Sequence, residues 1–309
     1  MGFVVGLDAG GTSTRALVLD LDGTRLGAGV AGGANPNSHP PELAAAHVNR
    51  ALSAALDGLD AAKVESGVLG MAGSSKLTDP AVAALFERAW TSAGLRCPMR
   101  VITDCEAAFA TGSASPDGTV LVAGTGSIAA TITDHRLTAT AGGYGWLLGD
   151  EGSAYWLGRE AVRATLRALE DDRPDALTRA VLNLAGIPPR PAREAARHLI
   201  TEANRVAPIV LAHYAPLVTA HAAAASAGAI IAEAVAILAD LALTGRPDSA
   251  DTPIVLVGSL VHAHPLGTLL RAELTARTRA PVRIATESSA GAAWLAAVEV
   301  LGDTAPRPN

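Results

Sequence analysis

The chain has 309 residues, 49% of them hydrophobic but only 3% aromatic, with 24 basic against 30 acidic side chains and a net charge of −6. That length accommodates two domains with aliphatic cores, and the acidic balance leaves no basic field, so nucleic acid is not an expected partner. Cys97 and Cys105 provide neither a disulfide framework nor a C-x-x-C metal knuckle, no export signal opens the chain, and a cytoplasmic setting is expected.

Phe3 to Asp8 reads as a strand that ends in the glycine-rich turn Gly10-Gly11-Thr12-Ser13. Arg15 to Asp20 returns as a second strand, and after a turn at Leu21-Asp22-Gly23 a third apolar stretch runs to Val30. In a Rossmann or Walker loop the glycines lead into a helix; here strand composition follows, so the turn closes a hairpin. Glycine lets such a turn place several N–H groups on one side with no Cβ in the way, which makes a concave anion site. A proline-broken loop from Pro36 to Pro41 precedes a helical period over 42–59. A strand over 66–73 opens into a loop, and a helix over 79–94, a strand over 99–103 and a short helix over 105–111 complete a βββαβαβα lobe spanning 1–112. Ser115-Pro116-Asp117-Gly118 marks a hinge.

The second lobe, 113–287, repeats the opening unit. Gly118 to Ala123 ends in Gly124-Thr125-Gly126-Ser127, strand composition resumes from Ile128 to Thr133, and a third stretch follows Asp134-His135 up to Gly143. Two such turns facing each other across a cleft would clamp a polyphosphate. A helical insert over 153–244 is expected to break near Pro188, Pro189 and Pro191. Its least polar part, 206–243, is interrupted by His213, His221, Glu233 and Asp240, so it reads as one or two buried helices and not as a membrane span. A strand over 253–259 ends at Gly258-Ser259; a helix over 266–277 and a strand over 282–285 follow. A last helix within 288–302 is expected to pack back on the first lobe, with residues 303–309 as a frayed tail.

The two copies differ where chemistry would require it. Asp8 stands where the second copy has Ala123, and a carboxylate beside a phosphate turn suits a Mg²⁺ ligand or an Asx-turn residue. Asp104 follows the 99–103 strand at the carboxyl end where open α/β sheets bind ligands; it is a candidate general base for phosphoryl transfer, or an ordinary N-cap. The segment Gly142-Gly143-Tyr144-Gly145-Trp146-Leu147-Leu148-Gly149-Asp150-Glu151-Gly152-Ser153 combines close backbone approach, an aromatic wall and two carboxylates able to grip sugar hydroxyls or cap the following helix. Asn35 and Asn37 are candidates for a sugar hydroxyl, and Gly258 and Ser259 for the adenosine pocket.

Together Asp8-Ala9-Gly10-Gly11-Thr12, Thr103-Asp104, Gly124-Thr125-Gly126-Ser127, Gly142-Gly143-Tyr144-Gly145 and Gly149-Asp150-Glu151-Gly152-Ser153-Ala154-Tyr155-Trp156 resemble the BadF/BadG/BcrA/BcrD-type ATPases of the actin, Hsp70 and sugar-kinase superfamily. Within that family the chain is similar to the N-acetylglucosamine kinases and, in its alanine- and arginine-rich character, to the actinobacterial glucosamine kinases. The resemblance implies a two-lobed, ribonuclease H-like α/β fold, ATP as phosphoryl donor with Mg²⁺, and Asp104 as catalytic base. By the same resemblance Asn35, Thr125, Gly143 and Asp150 hold an amino sugar, and the first turn, Gly10, Gly11, Thr12 and Ser13, with Gly258 holds ATP; the residues themselves add Glu151 to the sugar set and Thr125, Gly126 and Ser259 to the ATP set. Ala222 to Ala229 departs from the family in lacking an acid.

The expected reaction is phosphorylation of the 6-hydroxyl of D-glucosamine, because Asp150, Glu151 and Glu106 would favour a cationic amine over an acetamide. N-acetylglucosamine is the nearest alternative. An activator ATPase with a cysteine-held iron–sulfur cluster and a sugar-sensing regulator are more distant ones; the regulator would need a helix-turn-helix before the first strand. A homodimer is allowed by the sequence without being specified by it.

Overall fold

The computed structural model describes residues 2–247 and 249–308. In chain order they form β1 (Phe3–Ala9), β2 (Ser13–Asp20), β3 (Arg25–Gly32), α1 (Pro41–Ala55), β4 (Val64–Met71), α2 (Pro80–Ser92), β5 (Met99–Thr103) and α3 (Asp104–Gly112). There follow β6 (Gly118–Ala123), β7 (Ser127–Thr133), β8 (Arg136–Gly142), the single-turn α4 (Gly145–Leu148), α5 (Ala154–Glu170), α6 (Ala176–Leu184), α7 (Ala192–Arg205), α8 (Ala215–Ala220) and α9 (Ala225–Leu243). The chain ends with β9 (Ile254–Val257), α10 (Leu266–Arg277), β10 (Val282–Ile284) and α11 (Ser288–Leu301). Two compact units result. Unit 1 holds the residues up to Gly118, Ile132–Thr138, and those from Ala285 onward; unit 2 holds Thr119–Thr131 and Ala139–Ile284.

In unit 1 the sheet order is β3-β2-β1-β4-β5, with β1–β2–β3 antiparallel and β4 and β5 parallel to β1. Alternation along the strands sorts the core. Val5, Leu7, Ala16 and Val18 turn to one face, where Val48 and Leu52 of α1 and Phe86 and Trp90 of α2 cover them. Val4, Leu17 and Leu19 turn to the other, beneath Ala107 of α3 and Ala293 and Trp294 of α11. Gly6 is the point of closest approach: a β-carbon there would lie 2.0 Å from the Ala293 nitrogen, so α11 rests directly on the β1 backbone.

The frayed tail does not occur over the part that is described, 303–308; Asn309 lies outside the described residues. Trp294 Nε1 donates to Ala305 O at 3.2 Å, and the Arg307 guanidinium lies 4.6 Å from the Trp294 ring centre. That guanidinium also donates to the carbonyls of Ala110, Thr111 and Ser113 at 2.5–3.3 Å, satisfying acceptors that the end of α3 leaves without intrahelical partners. Composition alone sees only a polar, proline-containing end. Arg307→Ala is expected to cost unit 1 about 1–3 kcal/mol in urea unfolding; an unchanged midpoint would show that the docked tail contributes nothing.

In unit 2 the order is β10-β9-β6-β7-β8, with β9 parallel to β6 and to β10. Taken from β8 inward, this repeats the order found from β3 in unit 1, so the duplicated hairpin of the sequence is a duplicated sheet. The insert breaks more often than its prolines foretell: at 171–175 and 185–191, and again where a 3₁₀ turn (Pro208–Tyr214) and α8 separate α7 from α9. Of the described helices, α9 is long and apolar enough to cross a membrane by length and composition; its Ile230, Ile231, Ala234, Leu238 and Ala242 are buried in the core of unit 2.

Candidate active site

The first glycine turn joins β1 to β2 and is held from behind. Gly10 N donates to Ser13 O at 3.0 Å, Gly10 O accepts from Ala34 N and Asn35 N at 2.9 and 3.2 Å, and His39 Nε2 donates to Gly11 O at 2.7 Å. Gly11 and Thr12 remain exposed at the tip, with Ser13 partly buried. A turn whose carbonyls are occupied by its own surroundings keeps its shape without a ligand, which is the preorganisation an anion site needs.

Asp8 sits at the root of this turn, directly opposite Arg15 in the β1–β2 register. Its carboxyl is raised from 3.8 to about 6, first by burial and then by the charge of Asp104, against a lowering contribution from Arg15. A carboxyl whose ionisation is disfavoured by burial and by a neighbouring acid suits a divalent cation. Among the described residues no group of three or more His, Cys, Asp or Glu forms a metal cage, so the donor set fits an ion that keeps water and takes its remaining ligands from phosphate, as Mg²⁺ does. Arg15 was not anticipated, although its place one strand back from the turn follows from a hairpin register.

The Asp8 shift has a defined sign. Because the folded state binds this proton more tightly than the unfolded chain, Asp8 opposes folding fully above pH 6, and that penalty fades as pH falls from about 6 to 4. In metal-free buffer Asp8→Asn should therefore stabilise the protein at pH 7 by about 2–3 kcal/mol and by progressively less toward pH 4. Urea unfolding of the pair across that range checks it; equal stability at pH 7 would refute the shift.

Asp104 is the first residue of α3 and not its cap. Thr103 fills the N-cap, its hydroxyl accepting from Glu106 N at 3.2 Å, while Glu106 Oε2 accepts from Thr103 N at 2.6 Å and from the Thr103 hydroxyl at 2.8 Å. The other Glu106 oxygen accepts from Leu137 N at 3.1 Å. The capping alternative for Asp104 is thereby removed: its Oδ1 accepts from Cys105 N at 3.0 Å, and burial raises its carboxyl above the usual range against the lowering effect of nearby hydrogen bonds. The same arrangement corrects the expectation for Glu106, whose two oxygens serve the chain's own backbone and hydroxyl and leave little for a substrate amine. Cys105 is buried and its thiol pushed far up by burial and then by Asp104, and Cys97 is raised by burial too, so neither is an activated nucleophile.

Asn35 and Asn37 meet beside Gly73. Asn35 Oδ1 accepts from Asn37 N at 2.8 Å, an Asx turn, which leaves the Asn35 amide N–H₂ to act as a donor. Gly73 adopts φ +75°, and a β-carbon on it would lie 2.4 Å from Asn35 Oδ1 and 2.6 Å from Asn37 Nδ2.

In unit 2 the remaining candidates converge on the second glycine turn. Gly124 N donates to Gly126 O at 3.0 Å, and the turn's carbonyls receive the first amides of α5: Ala154 N to Gly124 O at 2.8 Å and Tyr155 N to Thr125 O at 3.2 Å. Asp150, at φ +58°, accepts from Ser127 N through Oδ1 at 3.1 Å, and the Ser127 hydroxyl donates to Glu151 O at 2.8 Å. The helix-capping role proposed for the acids belongs instead to Ser153, which accepts from Trp156 N at 3.2 Å. Gly143 lies beside Ser127, donating to its carbonyl at 3.0 Å. Gly258, at φ +106°, backs the turn so closely that a β-carbon would meet Ala123 O at 2.3 Å; Ser259 next to it is exposed. Ser127, Tyr144, Asp150, Glu151 and Asp240 line a cavity of about 230 Å³ here. Asp240 was not singled out as a site residue.

Two sheets of one strand order, each opening with a glycine-turned hairpin, define the two-lobed α/β fold of the actin, Hsp70 and sugar-kinase superfamily. The model of the BadF/BadG/BcrA/BcrD ATPase family matches residues 5–296, and the chain belongs to that family. The N-acetylmuramic acid/N-acetylglucosamine kinase of Clostridium acetobutylicum is 30% identical over 172 residues, 55% of each protein. The N-acetyl-D-glucosamine kinase of Dictyostelium discoideum is 28% identical over 182 residues, 55% of this chain and 56% of that protein. The chain thus spans about half the length of the curated relatives it matches. A structure described as an N-acetylglucosamine kinase from Chromobacterium violaceum superimposes with a TM-score of 0.73 at 27% identity, covering 96% of this chain and 99% of that one. A ROK family glucokinase from Streptomyces griseus shares the fold alone, with a TM-score of 0.54 at 22% identity over 96% and 99% of the two chains.

Proposed function

We propose that the protein is an ATP-dependent kinase that transfers the γ-phosphoryl group to the 6-hydroxyl of an amino sugar, D-glucosamine first. The observation that carries the reading is Asp104, a desolvated carboxylate that begins α3, relieved of capping duty by Thr103 and Glu106, in the same unit as the first glycine turn and Asp8. In this reading Asp104 takes the proton of the attacking 6-hydroxyl and orients its oxygen. The amides of Gly11, Thr12 and Ser13 in one unit, in a turn that the Gly10 N–H closes, and of Thr125 and Gly126 in the other, donate to phosphate oxygens, with Gly258 and Ser259 beside the nucleoside. Asp8 would hold Mg²⁺, which when bound neutralises charge on the phosphates. Asn35, Thr125, Gly143, Asp150 and Glu151 would hold the sugar.

The preference for a free amine rests on Asp150 and Glu151, since Glu106 is occupied. The names of the similar kinases favour N-acetyl-D-glucosamine as the second reading. Coupled ADP release at saturating ATP decides between them: a higher kcat/KM for glucosamine upholds the first, a higher value for N-acetylglucosamine the second, and no ADP release with any hexose or amino sugar would end the kinase reading.

A further inference from the structure

We propose that a cavity between α5 and α9 in unit 2 is a second binding site, for a small phosphomonoester carrying a cationic amine. Glucosamine 6-phosphate, the product under the function proposed above, belongs to that class, and the product aspect of this inference rests on that reading. The cavity measures about 560 Å³ and shares only Glu151 with the residues proposed above to hold the sugar; it has room for a hexosamine phosphate.

One wall is a row of guanidinium groups. Arg159, Arg163 and Arg167 recur every fourth residue along α5, so they share a helix face, and they surround Glu160, whose side chain is only 10% exposed. Arg159 Nε and Arg163 lie 3.2 and 2.9 Å from Glu160 Oε1, and Arg167 lies 4.0 Å from Oε2. One carboxylate neutralises one of three cations. Arg163 and Arg167 keep 56% and 61% of their side chains exposed and retain donors in the forked geometry that fits phosphate oxygens. The buried Glu160 fixes the row: it holds the stems in place and leaves the outer forks for an anion. A merely solvated helix face would not bury its central acid.

The opposite wall carries Glu233 of α9 and Glu151. Both are exposed, and among the described residues neither forms an ion pair. Cations on one side and unpaired carboxylates on the other match a zwitterion better than a simple anion. Because the carbonyl of Glu151 accepts from the Ser127 hydroxyl at 2.8 Å, an occupant that draws in the Glu151 side chain acts on the residue that holds the second glycine turn. Since Glu151 is also proposed to hold the sugar, the expected consequence is inhibition by the phosphorylated amino sugar that raises the KM for the sugar substrate.

Isothermal titration of wild type, R163Q/R167Q and E233Q with glucosamine 6-phosphate, glucose 6-phosphate and inorganic phosphate tests the site. Wild type should bind glucosamine 6-phosphate most tightly. R163Q/R167Q should lose affinity for all three probes by about tenfold or more, and E233Q should lose only the preference for the amine, both with unchanged initial rates on the sugar. Equal affinities in wild type and R163Q/R167Q, or no heat with any probe, would overturn the site; an amine preference that survives E233Q would overturn the zwitterion assignment. The binding arm needs no turnover, so arginine-dependent phosphate binding by a protein inactive on every amino sugar upholds the pocket while removing the kinase reading.

Discussion

Asp104→Asn is expected to lower sugar turnover by about 10²–10⁴-fold while changing the affinity for the sugar only slightly. The amide is isosteric and its oxygen still accepts from Cys105 N, and the α3 cap belongs to Thr103 and Glu106, so the local fold should persist. What disappears is the capacity to take a proton. Since burial raises the Asp104 carboxyl above the usual carboxylate range, the wild-type rate should fall on the acid side at a pH above that range as the base protonates, and the variant's residual rate should lack that limb. Steady-state rates across pH, with sugar binding measured by tryptophan fluorescence or calorimetry, separate the outcomes. A variant within threefold of the wild-type rate, or one that has lost sugar binding in proportion to its rate, would refute the base assignment.

A large loss of stability is expected from Gly291→Ala, about 3 kcal/mol or more. Gly291 is where α11 crosses α3: a β-carbon there would lie 2.1 Å from Ala107 O, 2.4 Å from Thr111 Oγ1 and 2.5 Å from Thr111 N, while Gly291 N already donates to the Thr111 hydroxyl at 3.1 Å. Two of the three obstacles are backbone, so no rotamer change relieves them; the helices must separate, and α11 also bears on β1 through Ala293 at Gly6. Gly228→Ala in α9 is the matched control. Its nearest obstacle is Ala222 O at 3.5 Å, an ordinary contact, so this helical glycine should gain up to about 1 kcal/mol on replacement. Urea unfolding of both variants decides the matter, and similar midpoints would mean that the α3–α11 contact yields more easily than its geometry implies.

The legible parts of this protein were local ones. The strands flanking both glycine turns, the Met99–Thr103 strand and the Leu266–Arg277 helix appear at or near the residues read from periodicity, because side-chain alternation and turn glycines act over a few positions. The glycine turns themselves were legible for the same reason. The division of labour among the acids was not. Whether Thr103 or Asp104 caps α3 depends on where the helix starts to within one residue, and Glu106 is drained of binding capacity by Leu137, thirty-one positions away. The arginine row of α5 had a visible fourfold spacing, but its meaning depends on Glu160 being buried.

The amino-acid order by itself determined the duplicated strand–turn–strand units and the positions of Asp8 and Asp104 at strand ends, since hydrogen-bonded turns and alternating apolar residues need only their neighbours. Tertiary structure alone decided the common strand order of the two sheets, the docking of Arg307 on Trp294 and the end of α3, and which carboxylates remain free. Those outcomes depend on contacts between residues far apart in the chain, where burial and hydrogen-bond satisfaction choose among partners that a linear pattern leaves equivalent.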